Sequence, residues 1–257
     1  MWNGELLDLD AYLDRVAFTP DPAADRATTL RGLHRAHLAA ISFENVDVRA
    51  GVPIALDVPS LQGKLVARRR GGYCFEQNLL FAAVLERFGH EVTGLAGRVL
   101  LGRSGDIPRT HALLRVDRRW LVDVGFGGGG LLEPLPLVAD VPVRQGDWTF
   151  RLDHADGVWA LRSLQAGRWF TLYDFTEDAR SPSDYGVLNY YMSTNPSSSF
   201  VRKLLVQRTD EHARYNVTDL ELSVTRPDGS VTKRGLTPEE RDVVLREDFG
   251  LDVTATA

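Results

Sequence analysis

Cysteine is nearly absent from this chain: Cys74 is the single one in 257 residues. That excludes an intrachain disulfide framework and any zinc site built from several thiolates. A lone thiol suits a reducing compartment, so a cytoplasmic location is expected. Lysine is scarce too, because arginine supplies all but three of the 30 basic residues. This bias reads as GC-rich bacterial coding rather than as chemistry. Excess positive charge is missing: the formal charge is −5, so no overall field draws in nucleic acid. The short basic run Arg68, Arg69, Arg70 reads as a solvated face. No run of about 18 apolar residues is available to span a membrane. Residues 1–10 carry acids and no basic segment, so no signal peptide is expected. Internal repeats and low-complexity linkers are also lacking.

What is present is an ordinary globular composition, 44% hydrophobic and 25% charged. At roughly 150 residues per domain, this length implies two folding units, or three small ones sharing a core. The first ~90 residues carry helical periodicity. Asp8 and Asp10 open a helix over 8–16, a second runs over 29–41, and Ser60 caps a third. A fourth runs from Tyr73 to Gly89. Short β-branched and aromatic segments follow, over 92–101, 111–116, 119–124, 148–152, 158–161 and 169–175. Their spacing predicts an antiparallel barrel or sandwich. Residues 181–191 read as helical, 201–206 and 220–225 as strands, and Asp228-Gly229 as a hairpin turn into 230–234. Thr237-Pro238-Glu239-Glu240 has the N-cap, proline and glutamate of a final helix start.

Cys74 sits in Arg70-Gly71-Gly72-Tyr73-Cys74-Phe75-Glu76, with a helical pattern starting at once behind it. The glycine pair lets the backbone turn and a substrate approach. The first helical turn, with its unpaired amides and dipole, favours an anionic sulfur. A lone cysteine is equally at home as a small buried apolar residue, so the assignment needs a base and an orienting acceptor. Of the six histidines, His34 and His37 have apolar neighbours and read as packing or surface residues. His90 follows a helix end, while His154 and His212 lie in polar turns. His111 opens a strand, and the next strand places Asp123 inside an apolar run. If the hairpin centres on Asp117, His111 and Asp123 face each other directly. Against this stands the plainer role of Asp123 as a cap for the following turn. The stretch Gly125-Phe126-Gly127-Gly128-Gly129-Gly130 could cradle a diphosphate or be a flexible exit from the strand. It lacks the lysine and helix of a P-loop.

Five stretches resemble the arylamine N-acetyltransferases. They are Ile41-Ser42-Phe43-Glu44-Asn45-Val46-Asp47, the Cys74 segment, Thr110-His111, Val122-Asp123-Val124-Gly125-Phe126-Gly127, and Ser193-Thr194-Asn195-Pro196-Ser197-Ser198-Ser199-Phe200. The resemblance implies an α+β fold with a cysteine-protease-like catalytic core. A helical domain (1–90) would carry the nucleophile, a β-barrel (91–180) the histidine and aspartate, and an α/β lid (181–257) would cover them. It implies acetyl transfer from acetyl-CoA to arylamines or arylhydrazines by a ping-pong route, with Cys74 as acyl acceptor, His111 as base and Asp123 as its orienting group. Phe43, Phe126 and Phe200 match positions lining the substrate cleft, though each could equally be core. Tyr73, Thr110 and Gly127, within the matched stretches, join the substrate and CoA-binding set. An Arg70–Glu44 bridge is expected beneath the cysteine loop. No metal is implied.

Two departures stand out: Ser42 replaces the usual proline, and the His–Asp loop is short. The related amide synthases of ansamycin assembly share the same triad and are the alternative reading. A thiol hydrolase would use the same triad logic without a CoA thioester, and a silent binding protein would need no triad. Expected partners are small amines and acetyl-CoA, with neither nucleic acid nor membrane. Weak homo-oligomerisation is compatible with the sequence but not specified by it.

Overall fold

The computed structural model describes residues 2–252; the last five positions of the expected lid lie outside the described residues. The amino-terminal part is helical, and its starts are chemically marked. Asp8 caps α1 (Leu9–Val16) by accepting the Ala11 amide at 3.0 Å. Asp25 caps α2 (Arg26–Ala40) through the Thr28 amide at 2.7 Å, three residues earlier than the periodicity predicts. Next come a short strand β1 (Phe43–Glu44) and the single turn α3 (Val46–Arg49). The third expected helix is α4 (Val58–Gln62), capped by Asp57 rather than Ser60: the Asp57 carboxylate accepts the Ser60 amide at 2.9 Å. It continues into a wider π turn over Gly63–Ala67. α5 (Cys74–Arg87) is buried on every side from Cys74 to Leu85, as a helix enclosed by its own fold must be.

Eight antiparallel strands curl into a nearly closed barrel, in the order β5-β4-β3-β2-β9-β8-β7-β6. They are β2 (Val92–Val99), β3 (His111–Val116), β4 (Trp120–Val122), β5 (Leu135–Pro136), β6 (Val143–Gln145), β7 (Trp148–Ala155), β8 (Val158–Gln165) and β9 (Arg168–Phe175). Alternation turns Trp148, Phe150 and Leu152 of β7 and Trp159 and Leu161 of β8 into one core. β3 and β4 are buried on both faces. Their even-numbered residues Ala112, Leu114, Trp120 and Val122 join the core around α5, while Leu113 and Leu121 point into the barrel.

The remaining chain forms α6 (Pro182–Thr194) and α7 (Ser199–Arg202), then β10 (Leu205–Thr209), β11 (Arg214–Thr218), β12 (Glu221–Thr225), β13 (Val231–Gly235) and α8 (Pro238–Phe249). The strand expected over 201–206 is thus half helix, because Ser198 caps α7 through the Phe200 amide at 3.3 Å. β1 joins these late strands in a second sheet, β1-β10-β11-β12-β13. Phe43 pairs with Gln207 and Glu44 with Val206. Ser42 Oγ donates to the Phe249 carbonyl at 2.8 Å, and Asn45 Nδ2 to those of Phe200 and Lys203 at 2.7 and 2.8 Å.

Candidate active site

Cys74 is the first residue of α5 and only 3% exposed. The segment leading to it is tied down from two sides. The Glu44 amide donates to the Gly72 carbonyl at 3.0 Å, and the Glu76 carboxylate accepts the Tyr73 amide at 3.1 Å. Gln77 Nε2 donates to the Gly72 carbonyl at 2.6 Å.

Beneath the segment lies a buried group of charges. Arg70 Nη2 meets Glu44 at 2.7 Å and Asp47 at 3.1 Å. Lys64 Nζ meets Glu76 at 2.7 Å and Asp47 at 2.8 Å. The Arg70–Glu44 bridge expected from sequence is therefore present, inside a larger cluster that was not foreseen. Burial would weaken both cations, but the surrounding carboxylates outweigh it and raise Lys64 and Arg70 above their ordinary values.

His111, the first residue of β3, is reached from the barrel side. Its Nε2–H donates to Asp123 Oδ2 at 2.7 Å, and Cys74 lines the same cleft as the ring. The strand register behind this contact differs from the expected one. β3 and β4 pair Leu114 with Val122 and Val116 with Trp120, so the hairpin centres on Arg118, not Asp117. Asp117 and Arg118 both take left-handed conformations, φ 49° and 57°, and together they add a step to the turn. The shift moves each pairing by two residues, which preserves the face of every side chain. Asp123 consequently lies diagonal to His111, just past the end of β4, instead of directly opposite it. The diagonal separation is still within reach of a long side chain.

Asp123 is fully engaged. Oδ1 accepts Asn78 Nδ2 at 3.0 Å and the Gly125 amide at 3.1 Å. Burial alone would raise its pKa, but the imidazolium and these donors hold it below the ordinary carboxylate value. Burial would likewise lower His111; the Asp123 charge and hydrogen bond, with Cys74, reverse this and raise it to about 10. Asn78 also donates to the Ala112 carbonyl at 2.7 Å and accepts the Val124 amide at 3.1 Å. It thereby joins α5 to both strands. Nothing in the sequence marks Asn78 except its place one helical turn after Cys74, where side chains share a face.

A cleft of about 310 Å³ opens onto Cys74 and His111. Phe43, Thr110, Phe126 and Phe200 line it. Phe126 meets the His111 ring edge-on at 5.2 Å between centroids. Two expected binding residues do not form its wall. Tyr73 is wholly buried, with its ring against Phe200 at 5.6 Å and its hydroxyl bonded to Asn189 Oδ1. Gly127 lies behind the wall at φ +82°, where an added Cβ would come within 2.2 Å of Gln207 Oε1. Gly125 is constrained from the front: a Cβ there would lie 2.8 Å from the Cys74 Cα.

His34 and His37, also buried, serve packing. Burial lowers His34 to about 4 and His37 to about 3, and His37 bonds Tyr12 and Gln77 at 2.9 and 3.3 Å. Among the described residues no group of three His, Cys, Asp or Glu side chains is arranged to hold a metal ion. No helix among them is long and apolar enough to cross a membrane.

Comparison with known proteins adds the relatives. A family model described as N-acetyltransferase matches residues 27–257. The arylamine N-acetyltransferase of Mycolicibacterium smegmatis is 41% identical over 229 residues, covering 86% of this chain and 83% of that protein. The Escherichia coli enzyme of the same name is 36% identical over 252 residues, covering 95% and 89%. Among solved structures, that of Nocardia farcinica arylamine N-acetyltransferase matches with a TM-score of 0.93 and 42% identity over 99% of this chain and 93% of its own. That of the Mycobacterium marinum enzyme in complex with CoA matches with a TM-score of 0.90 and 35% identity, over 97% and 95%.

Proposed function

Since the chain belongs to the arylamine N-acetyltransferase family and is an acetyltransferase, we propose that it moves acetyl from acetyl-CoA to arylamines or arylhydrazines through an acetyl thioester on Cys74. The observation that carries this reading is that Cys74 and His111 line one largely apolar cleft, with Asp123 bonded to His111 behind it.

His111, held by Asp123 through Nε2, takes the thiol proton at its remaining nitrogen, Nδ1. The sulfur attacks the thioester carbonyl, the carbon–sulfur bond to CoA breaks, and the departing CoA sulfur recovers the proton from His111. In the second half-reaction the amine nitrogen attacks acetyl-Cys74, gives its proton to His111, and expels the Cys74 sulfur. Atoms and charge balance in each half, and one base serves both. Phe43, Phe126 and Phe200 keep water from the thioester and offer an aromatic amine ring surfaces to stack on. Thr110 stands on the same wall, whereas Tyr73 and Gly127 act from behind it. In this reading residues 1–90 supply the thiol, 91–180 the base and its partner, and 181–257 the cover. A thiol that must stay reduced supports a cytoplasmic setting.

The test is the intact-protein mass after mixing with acetyl-CoA alone, then after adding an aromatic hydrazine. One acetyl group should appear on wild type, be absent from Cys74→Ala, and leave on addition of the hydrazine. No mass gain, or a gain that the hydrazine does not remove, would end the proposal.

A further inference from the structure

The cleft wall is apolar or neutral apart from the His111 ring and one guanidinium, that of Arg103; among the described residues no carboxylate lines it. Arg103 lies in the connection between β2 and β3 and is exposed. Its Nε donates to the Leu100 carbonyl of its own loop at 3.1 Å, and no carboxylate among the described residues pairs with it. The arginines flanking it in sequence are already engaged: Arg98 and Arg109 meet Asp174 at 3.2 and 3.7 Å. Arg103 is thus a free, planar cation at the mouth of a cleft whose proposed donor ends in a diphosphate and a ribose phosphate.

The glycine-rich stretch is the natural competitor for that role, but four of its six amides, those of Gly125, Gly128, Gly129 and Gly130, are spent internally. Gly125 N–H donates to Asp123 Oδ1 at 3.1 Å and Gly128 N–H to Gln207 Oε1 at 3.0 Å. Gly129 and Gly130 N–H groups close on the Gly127 carbonyl at 2.7 and 3.1 Å. A phosphate cradle needs several unpaired amides converging on one point. Here Gln207, which donates from Nε2 to Asn216 Oδ1 at 2.9 Å, holds the loop from behind.

We infer that Arg103 binds a phosphate of the acyl donor at the cleft mouth, and that the glycine-rich loop shapes the wall without binding phosphate. This rests on the reading of the site as a CoA-thioester acyltransferase. It assigns the selectivity for a phosphate-bearing donor over any small acetyl ester to one side chain. An exposed charge-assisted contact of this kind is worth up to about fivefold in binding.

The experiment compares acetyl-CoA with 4-nitrophenyl acetate, an acetyl donor without phosphate, using one arylhydrazine and wild-type, Arg103→Ala and Arg103→Lys proteins. In Arg103→Ala the ratio of kcat/KM for acetyl-CoA to that for the ester should fall about two- to fivefold, through KM for acetyl-CoA. Arg103→Lys should recover most of the loss, and added salt should narrow the gap between wild type and Arg103→Ala. Calorimetric titration with free CoA should show the same weakening without any turnover. An unchanged ratio together with an unchanged CoA Kd would overturn the inference, and so would an equal loss with both donors. Wild type failing to transfer acetyl from either donor would sink the acyltransferase reading instead, and the CoA titration would still judge Arg103.

Discussion

Replacing Asp123 by asparagine keeps the shape of the site but removes the charge and turns one acceptor oxygen into an NH2 donor, so its effect can be worked out bond by bond. Oδ1 of Asp123 faces two donors, Asn78 Nδ2 and the Gly125 amide, whereas Oδ2 faces only His111. The new amide must put its carbonyl oxygen where the two donors are. The opposite orientation would set an N–H group against both, at about 1–3 kcal/mol for each buried donor left unpaired. Its NH2 then points at His111 Nε2, which has to become an acceptor. The ring proton moves to Nδ1, the nitrogen left for Cys74, and the imidazole can no longer take up the thiol proton. The imidazolium also loses the charge that raises it to about 10. A wrong tautomer at such a site costs roughly a thousand- to ten-thousandfold in rate, or about 4 to 5 kcal/mol of barrier. The assay is single-turnover acetylation of Cys74 at pH 7, quenched and read by mass, with circular dichroism to check the fold. A native-like Asp123→Asn protein acetylated within tenfold of the wild-type rate would refute the argument.

A pH-dependent stability follows from the same pair. His111 is raised in the folded state from its ordinary 6.5 to about 10. The stabilisation it adds is complete below pH 6.5 and disappears as pH rises through about 10. Melting temperatures from pH 6 to 10.5 should therefore fall more for wild type than for His111→Gln, and parallel curves would contradict the coupling. Gly125→Ala forces a methyl to 2.7 Å from Asn78 Nδ2 and 2.8 Å from the Cys74 Cα, both fixed by α5. Overpacking of this sort costs about 1–3 kcal/mol, so a drop of roughly 2 to 12 °C in melting temperature is expected. A variant as stable and as active as wild type would show that the strand exit has room to move.

Much of the fold is legible in the chain because its signals are local. Asp8 and Thr237 sit where their helices begin, and the alternation in 148–152 and 158–161 marks barrel strands. The meeting of His111 and Asp123 is legible too, although through a register the protein does not have. It survives because the hairpin centres one residue later than expected, which shifts the pairing by two and leaves both side chains on the same face. The features that escape are those whose meaning depends on a distant partner. Asn78 reads as one more polar residue on a helix until Asp123 and Val124 arrive beside it. Gln207 lies just past the strand expected over 201–206, yet it silences the amide of Gly128. Lys64 lies in a π turn that periodicity does not announce, and only there does it reach Glu76 and Asp47.

β1 has a bearing on how the molecule is made. The backbone that supports the thiol segment runs through Ser42 and Glu44, and its outer partners are drawn from the far end of the chain. Ser42 bonds a carbonyl 207 residues downstream, and β1 gains its neighbouring strand only when β10 has been synthesised. Synthesis proceeds from the amino terminus at about 5–20 residues per second. Cys74 and the helix that carries it therefore leave the ribosome many seconds before the strand that completes their support. During that interval the thiol belongs to an unfinished sheet edge. The nascent chain acquires the assembled site near the end of translation, and a chain released before β10 carries the cysteine without the frame that aims it.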